Sequence, residues 1–517
     1  MKRFLTWMAT AGFLFGLTVS VQGASEQPKR GGTLTFATSK KMRLMNPLVS
    51  TSSTEKRLRD LMFESLLGMD LNGDIKPNLA ESWEVSKDGL VYTFNLRKGV
   101  KFHDGREMTA EDAKFAIDYT LNPKNGAYGY EDIKSIKRAE AVDQYTLKLH
   151  LKNRNTVLLT ALTDIRSFSV IPKESLPQGV KKPKTFPPGT GPFKFVEWQP
   201  GQRLVLERFD DYWGHKAYID RLVIKPISDS TVRVTALRAG DVDIVERTAN
   251  EWVEQIVSGK LKGIGYAKAS HAGARNLEFN VADPPFNNKK LRLAVAHAID
   301  RKEILQGAYL GLAEPTNQRF PTGHTWNFAD VKLPEHDLEK AKKLLKESGY
   351  KGETIELLGN QGEVAEIEGA VIQAQLKKIG MDVKLVILER ASNLDRRHKG
   401  QYHFKLAGGS LYPDPLLAYT EYRCEKDPRN RGENESGYCD KEFDAWLADA
   451  AREVDSEKRR RLFRKVVGKL ADDIPILPIG FTPRFFTFGK HVKGFTTDSN
   501  GEFRWWGGGM NHAWIDR

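Results

Sequence analysis

The sequence predicts a mixed α/β (α+β) protein of two or three domains, and three observations carry that prediction. The chain has 517 residues, too many for one ordinary hydrophobic core. From Gly31 to about Trp213 short stretches alternate apolar and polar residues, the period of half-buried strands. From Leu277 onward, helical stripes ending in glycine alternate with apolar strand-like runs, which is the rhythm of α/β architecture. Charged residues are 28% and hydrophobic residues 40% of the chain, a balance that a folded protein can bury.

The N-terminus departs from that balance. Lys2 and Arg3 precede an apolar stretch from Phe4 to Val21, followed by the small residues Gly23 and Ala24. This is the layout of a secretory signal covering residues 1–23. A membrane anchor competes, but Thr6, Thr10, Gly12, Gly16, Thr18 and Ser20 interrupt the stretch, and Val21-Gln22-Gly23 suits cleavage. No later segment approaches the ~20 apolar residues of a span. With no cysteine near the cleavage zone, the expected product is a free periplasmic protein, not a lipoprotein.

Past the signal, Leu34 and Phe36 open a strand. Trp83 and Val85 lead into the turn Lys87-Asp88-Gly89, and Tyr92, Phe94 and Leu96 alternate with polar residues in the returning strand. Thr109 and Asp112 have capping-box spacing, and Ala113, Ala116 and Ile117 form one face of the helix that follows. Tyr145, Leu147, Leu149 and Leu151 make another strand. After the proline-rich KKPKTFPPGTGP, a candidate boundary, Phe193 and Phe195 pair with Leu204 and Leu206 through Pro200-Gly201. In the second half Leu291, Ala294, Val295, Ala298 and Ile299 form a helical stripe. Asp300-x-x-Glu303 starts a helix, and helices through Leu345 and Ile379 stop at Gly349 and Gly380. Val383, Leu385 and Ile387 read as the next strand.

Only two cysteines occur, Cys424 and Cys439, and no histidine lies between them, so zinc-site spacing is lacking. In an exported chain they are expected to form a disulfide, contributing about 3 kcal/mol by restricting the unfolded chain. The formal charge is +13, or +11 once Lys2 and Arg3 are removed. The cations are scattered rather than gathered with aromatics, which excludes a nucleic-acid binder and favours an anionic ligand. Arg459-Arg460-Arg461 reads as a solvated helix face. No GxSxG, HExxH, Walker A or complete GxGxxG sequence occurs. His103-Asp104-Gly105 reads as a polar turn, and His398 and His403 do not share a helical face. No catalytic residue, metal site or cofactor is expected, although carboxylate pairs remain open.

The run from Leu79 to Tyr119, LAESWEVSKDGLVYTFNLRKGVKFHDGREMTAEDAKFAIDY, resembles the signature of the family 5 extracellular solute-binding proteins. Six further segments follow in the family's order: Gly189 to Phe195, Tyr218 to Ile244, Leu277 to Leu305, Tyr412 to Pro415, Gly437 to Glu453 and Ile474 to Phe486. The resemblance implies a periplasmic binding protein type II-like fold, with two lobes plus an extra domain that close like a flytrap. It implies a first lobe split over 24–55, 187–272 and 488–517, an inserted domain over 56–186, and an α/β second lobe over 273–487. It also implies a monomeric, non-enzymatic receptor that delivers a solute to ABC permease and ATPase subunits. An exported hydrolase, or a chaperone or sensor on the same scaffold, is the alternative.

Peptide-binding members hold the peptide amine with an Asp in a D-Y-P-D-P-like pattern; this chain has Leu411-Tyr412-Pro413-Asp414-Pro415. Gly359 and Asn360 stand where dipeptide receptors carry a carboxylate-binding Arg, and Gly408 and Gly409 replace an aromatic. The resemblance therefore points away from ordinary dipeptides, toward a peptide-like, opine or sugar-conjugate ligand. The ligand-binding residues expected are Lys41, Met42, Arg166, Gly408, Gly409, Ser410, Leu411, Tyr412 and Asp414; Arg43 lies with Lys41 and Met42 where family members run along the cleft, and Ser50, Thr51 and Ser52 are weaker candidates. For Arg166 a cleft-facing guanidinium and a surface loop residue both remain open. For Tyr412 an aromatic lid and simple packing on Pro413 both remain open.

Overall fold

The computed structural model describes residues 27–43, 45–49, 53–70, 74–177, 179, 183, 185–409, 412, 414–426, 434–498, 501–503 and 509–516. The expected signal, Ser50, Thr51 and Ser52, and the candidates Ser410 and Leu411 lie outside the described residues. Among the described residues no helix is long and apolar enough to cross a membrane.

The backbone of the molecule is one continuous sheet. Its order is Val383–Leu388, Ile355–Asn360, Phe404–Gly409, Ile264–Phe279, Ile476–Gly489, Ile244–Glu246, Thr33–Thr38, Arg221–Pro226, Arg203–Arg208 and Phe193–Gln199. The two middle strands, of 16 and 14 residues, are long enough to cross the whole molecule at about 3.3 Å per residue. They pair antiparallel from Ile264 opposite Gly489 to Glu278 opposite Ile476, and their register slips between Ala269 and Gly273 and again between Arg275 and Asn276. Such irregularities bend a strand and increase its twist. The sheet is thereby divided into two wings, each the centre of a lobe.

In the first wing Thr33–Thr38 runs parallel to both Arg221–Pro226 and Ile244–Glu246. In the second, Ile355–Asn360 runs parallel to Val383–Leu388 and Phe404–Gly409. A separate four-stranded sheet, in the order Ala80–Val85, Val91–Leu96, Thr146–Leu151 and Ile136–Asp143, extends the first lobe. One hydrophobic core joins this sheet to the first wing: Phe36, Leu206, Leu222 and Phe193 share it with Phe94, Leu147 and Ile117. The second wing has its own core around Leu277, Leu357, Ile372 and Phe404. A third lies under helices Lys441–Ala450 and Ser456–Asp473, around Tyr419, Phe443 and Phe463.

Local expectations agree with the structure where the signal is local. Gly89 takes φ 69° in the hairpin turn, and Gly349 and Gly380 end their helices at φ 79° and 87°. The Thr109 N–H donates to Asp112 at 2.8 Å, and Asp300 accepts from Lys302 and Glu303 N–H groups. Cys424 and Cys439 are bonded to each other.

Two features have tertiary causes that the sequence conceals. In Gly189-Thr190-Gly191, a Cβ on Gly189 would sit 1.9 Å from the Met62 carbonyl oxygen, and one on Gly191 would lie 2.7 Å from the Met62 carbonyl carbon. The turn is a close packing joint rather than a loose connection. The Gly189 N–H donates to His103 Nδ1 at 3.2 Å, and His103 Nε2 lies 3.0 Å from the Gly191 carbonyl, so the HDG turn is stapled to it. The expected solvated face at Arg459-Arg460-Arg461 needs correction at its first member. Arg459 is buried, with both Nη atoms on Asp414 at 2.8 and 2.9 Å, while Arg461 is exposed.

Burial has titration consequences in this lobe. Glu64 accepts from the Tyr212 O–H and the Trp213 indole N–H, both at 2.9 Å, yet its burial pushes its pKa up to about 7. Burial pulls His103 down to about 4. Glu64 binds more protons folded than unfolded between about pH 4.5 and 7, so its contribution to stability falls as pH rises through that window. His103 binds fewer protons folded, so its contribution rises from about pH 4 to 6.5, and the two oppose each other where they overlap. Glu64→Gln is expected to remove the first effect: its stability relative to wild type should improve by roughly 3 kcal/mol from pH 4.5 to 7. Urea unfolding at five pH values checks this, and a pH-independent difference refutes it.

Candidate functional site

Ligands in α/β sheets bind beyond the carboxyl ends of parallel strands. Here two such edges face each other. Lys40, Lys41, Met42 and Arg43 follow Thr33–Thr38, and Arg247 follows Ile244–Glu246. From the other lobe, Arg390 opens the helix Arg390–His398 just past Val383–Leu388, and Gly409 ends Phe404–Gly409. The pKa of Lys40 is lowered by burial and then by the charges of Arg247 and Arg390, with Glu246 pulling the other way and Arg43 adding to the depression. A first-lobe lysine that feels a second-lobe arginine places the two edges across one cleft.

The floor of the cleft is strongly positive. Glu246 is buried, and burial opposes its ionisation. The Arg57 guanidinium at 2.9 Å and hydrogen bonds from Ser39 N–H and O–H at 2.8 and 2.7 Å nevertheless hold it at about 2. That carboxylate is committed to Arg57. Arg247 is lowered by burial and by Arg57, although Glu246 pulls the other way. On the crossing strand, burial and then Arg57 and Arg247 bring Arg484 down to about 9. Arg57 Nε, Arg57 Nη1 and Arg247 Nε are buried without an acceptor among the described residues. Arg247 also has φ 53°, rare for a residue with a side chain and a mark of functional sites. Lys40, Arg43, Arg247 and Arg390 have no ion-pair partner among the described residues.

Helix Ser53–Arg59 supplies Arg57. Its sequence, STEKRLR, reads as a charged solvated segment, yet Lys56, Arg57 and Arg59 are all buried. Lys56 pairs with Asp60 and Glu502, and Arg59 with Glu55. Sequence reasoning missed this helix, and also Arg247 and Arg390. The one available signal is the density of basic residues just past the strand ends.

The residues expected from sequence have varied placements. Lys41 is exposed beside the Gly201 turn, and Met42 is buried in the first core. Arg166 forks onto Asp164, with Nη2 to Oδ2 at 2.6 Å, and its guanidinium lies 4.7 Å from the Tyr128 ring centre. Burial opposes both charges, but each holds the other ionised: Asp164 well below and Arg166 well above the usual range. Tyr412 packs on the third core with Arg319 5.5 Å from its ring centre. Asp414 caps the helix Pro415–Tyr419 through the Leu416 N–H at 2.8 Å, besides holding Arg459.

Gly408 and Gly409 have distinct roles. A Cβ on Gly408 would lie 2.8 Å from Arg275 Nη1, whereas one on Gly409 would meet nothing within 4 Å. Gly408 therefore makes room for Arg275, which stands between the two register slips of the crossing strand. Arg275 is clamped by Glu368 through Nε at 2.9 Å and through Nη2, and Tyr309 donates to the same carboxylate at 2.9 Å. The space beside the two glycines is thus part guanidinium, part open edge. Among the described residues no cluster of histidine, cysteine or carboxylate groups is arranged to hold a metal ion.

Residues 74–428 match the model of bacterial extracellular solute-binding proteins, family 5 Middle. The chain belongs to this family. Heme-binding protein A of Haemophilus influenzae is 30% identical over 470 residues, 82% of each chain. The structure of the binding protein DppA from Helicobacter pylori, in complex with the peptide STSA, is 30% identical with a TM-score of 0.75 and covers 95% of this chain and 99% of its own. AgaA from A. tumefaciens R10, solved with agropinic acid, is 28% identical with a TM-score of 0.75, covering 94% and 99%. The two-lobed, type II-like fold of this family 5 protein agrees with these neighbours. It is a substrate-binding protein of ABC transport, and its family acts outside the cytoplasm.

Proposed function

We propose that this family 5 protein captures an anionic small solute, peptide-like or of the opine or sugar-conjugate kind, and delivers it to an ABC permease and its ATPase subunits. It does so without catalysis or cofactor, as a periplasmic monomer freed of residues 1–23 and carrying no lipid. The observation that carries the reading is the excess of positive charge on the facing strand edges, where Lys40, Arg43, Arg247 and Arg390 have no ion-pair partner among the described residues and Glu246 is committed to Arg57. The ligands named for the relatives include heme, a peptide and agropinic acid, so family membership by itself does not select one. Cations that repel each other in a partly dry cleft favour a negative ligand, because its charge relieves the repulsion.

In this reading 24–55, 187–272 and 488–517 form the first lobe, 56–186 its extension and 273–487 the second lobe. The slipped segment between Ala269 and Gly273 is the hinge. Native mass spectrometry of protein purified from its own host is expected to find one bound anionic small molecule. Returning that molecule to stripped protein should reduce the radius of gyration in small-angle scattering and raise the melting temperature. A cationic co-purified ligand, or turnover of the molecule by the protein, overturns the reading.

A further inference from the structure

Away from the cleft, an open groove of about 570 Å³ lies between the extension of the first lobe and the third core. Arg154 lines one side. Arg452, Lys458, Arg461 and Lys465 line the other, and none of the five has an ion-pair partner among the described residues. Asp449 and Glu453 also line it, yet neither forms an ion pair there, so two carboxylates stand against five cations.

A surface cluster of this kind is ordinarily a solvated helix face, and three observations set this one apart. First, Lys458, Arg461 and Lys465 occupy one face of the helix Ser456–Asp473, where like charges three and four residues apart repel. Second, Lys458 lies in its first turn, where the helix dipole disfavours a cation and favours an anion. A sequence that violates two local rules on one face is carrying something other than helix stability. Third, Arg154 is pre-positioned. Its Nε donates to the Asp88 carbonyl at 2.7 Å, and its side chain lies against Gly89 at the hairpin turn, 3.4 Å from where a Cβ would stand.

We infer that this groove is a second binding site, for a polyvalent phosphate anion, and that the anion bridges the lobes. Arg154 stands in the loop after the strand Thr146–Leu151, whose sheet packs in the first core, and the helix packs on the third core, so the groove draws its two sides from different lobes. An anion held by both sides favours the closed arrangement. By linkage it also tightens binding in the cleft, and a cleft ligand tightens the anion in return. The phosphate groups can come from a free oligophosphate or from a phosphorylated lipid surface; the groove, open at the mouth and lined from both lobes, fits the free anion.

The probe is tripolyphosphate, titrated calorimetrically into the mature chain at low salt, with small-angle scattering in parallel. Saturable binding of one equivalent is expected, with a smaller radius of gyration. Arg154→Gln, and separately the pair Arg461→Gln with Lys465→Gln, should each weaken binding at least tenfold. The pair Lys340→Gln with Lys343→Gln, which removes the same charge from a distant helix, should leave it unchanged. Equal weakening by the distant pair would reduce the effect to general charge screening and overturn the site. Undiminished binding by Arg154→Gln would confine the anion to one lobe and overturn the bridge. Vesicles containing phosphatidic acid form the last arm: capture of vesicles with no response to tripolyphosphate would replace the free anion by a lipid surface. All arms use protein stripped of cleft ligand, since a cleft ligand would itself tighten the anion and close the lobes.

Discussion

Arg459→Ala is expected to destabilise the protein by about 3–5 kcal/mol, the largest effect of any single substitution considered. Both Nη atoms of Arg459 hold Asp414, and Nε donates to the Ala450 carbonyl at 3.1 Å. The guanidinium lies 5.3 Å from the Trp326 ring centre and 5.0 Å from that of Phe463. Removing it leaves the Asp414 carboxylate buried with its helix-capping bond alone, and an unpaired buried charge costs far more than the pair contributed. The loss should therefore shrink when both partners are replaced: Asp414→Asn with Arg459→Met should recover a substantial part of it. Urea denaturation of the two variants decides the matter. A single substitution within about 0.5 kcal/mol of wild type, the range of an ordinary surface change, would show that the pair is not buried in solution.

The second large effect is on binding. Arg247→Ala should weaken the recovered anionic ligand by about 2–4 kcal/mol, or roughly 30- to 1,000-fold, as expected when one member of a desolvated charged contact is truncated. Arg247 is chosen because its Nε is buried without an acceptor, its backbone is held at positive φ and its field depresses both Lys40 and Arg484. Arg390→Ala removes an exposed cation facing the same ligand and should cost less than about 1 kcal/mol, an effect that salt erases. Titration calorimetry at two ionic strengths separates the two. An Arg247→Ala variant that binds as tightly as wild type would remove the anion from the argument while leaving the solute-binding role intact.

Much of this protein was legible in its sequence because much of the signal is local. The hairpin through Gly89, the capped helix after Thr109 and the glycine stops at Gly349 and Gly380 are decided by neighbours within a few residues: turn torsions, first-turn N–H groups and helical periodicity. The order of motifs from Leu79 to Phe486 pointed to the family.

What the sequence left open is set by contacts between residues far apart in the chain. STEKRLR and Arg459-Arg460-Arg461 look alike as charged runs, but which of their cations is buried depends on carboxylates as distant as Glu246 and Asp414. GTGP looks like any turn until Met62 is found against it. Arg275 draws no notice until Gly408, more than a hundred residues later, pairs beside it and makes room for its guanidinium. The sequence alone determined the elements marked by local turns, caps and periodicity, and the family to which the chain belongs, since local torsion and pattern suffice for those, though not the charged helix Ser53–Arg59. The tertiary structure decided which charges are neutralised and which are left to face a ligand, because a charge is buried, paired or free only by virtue of what the fold brings beside it.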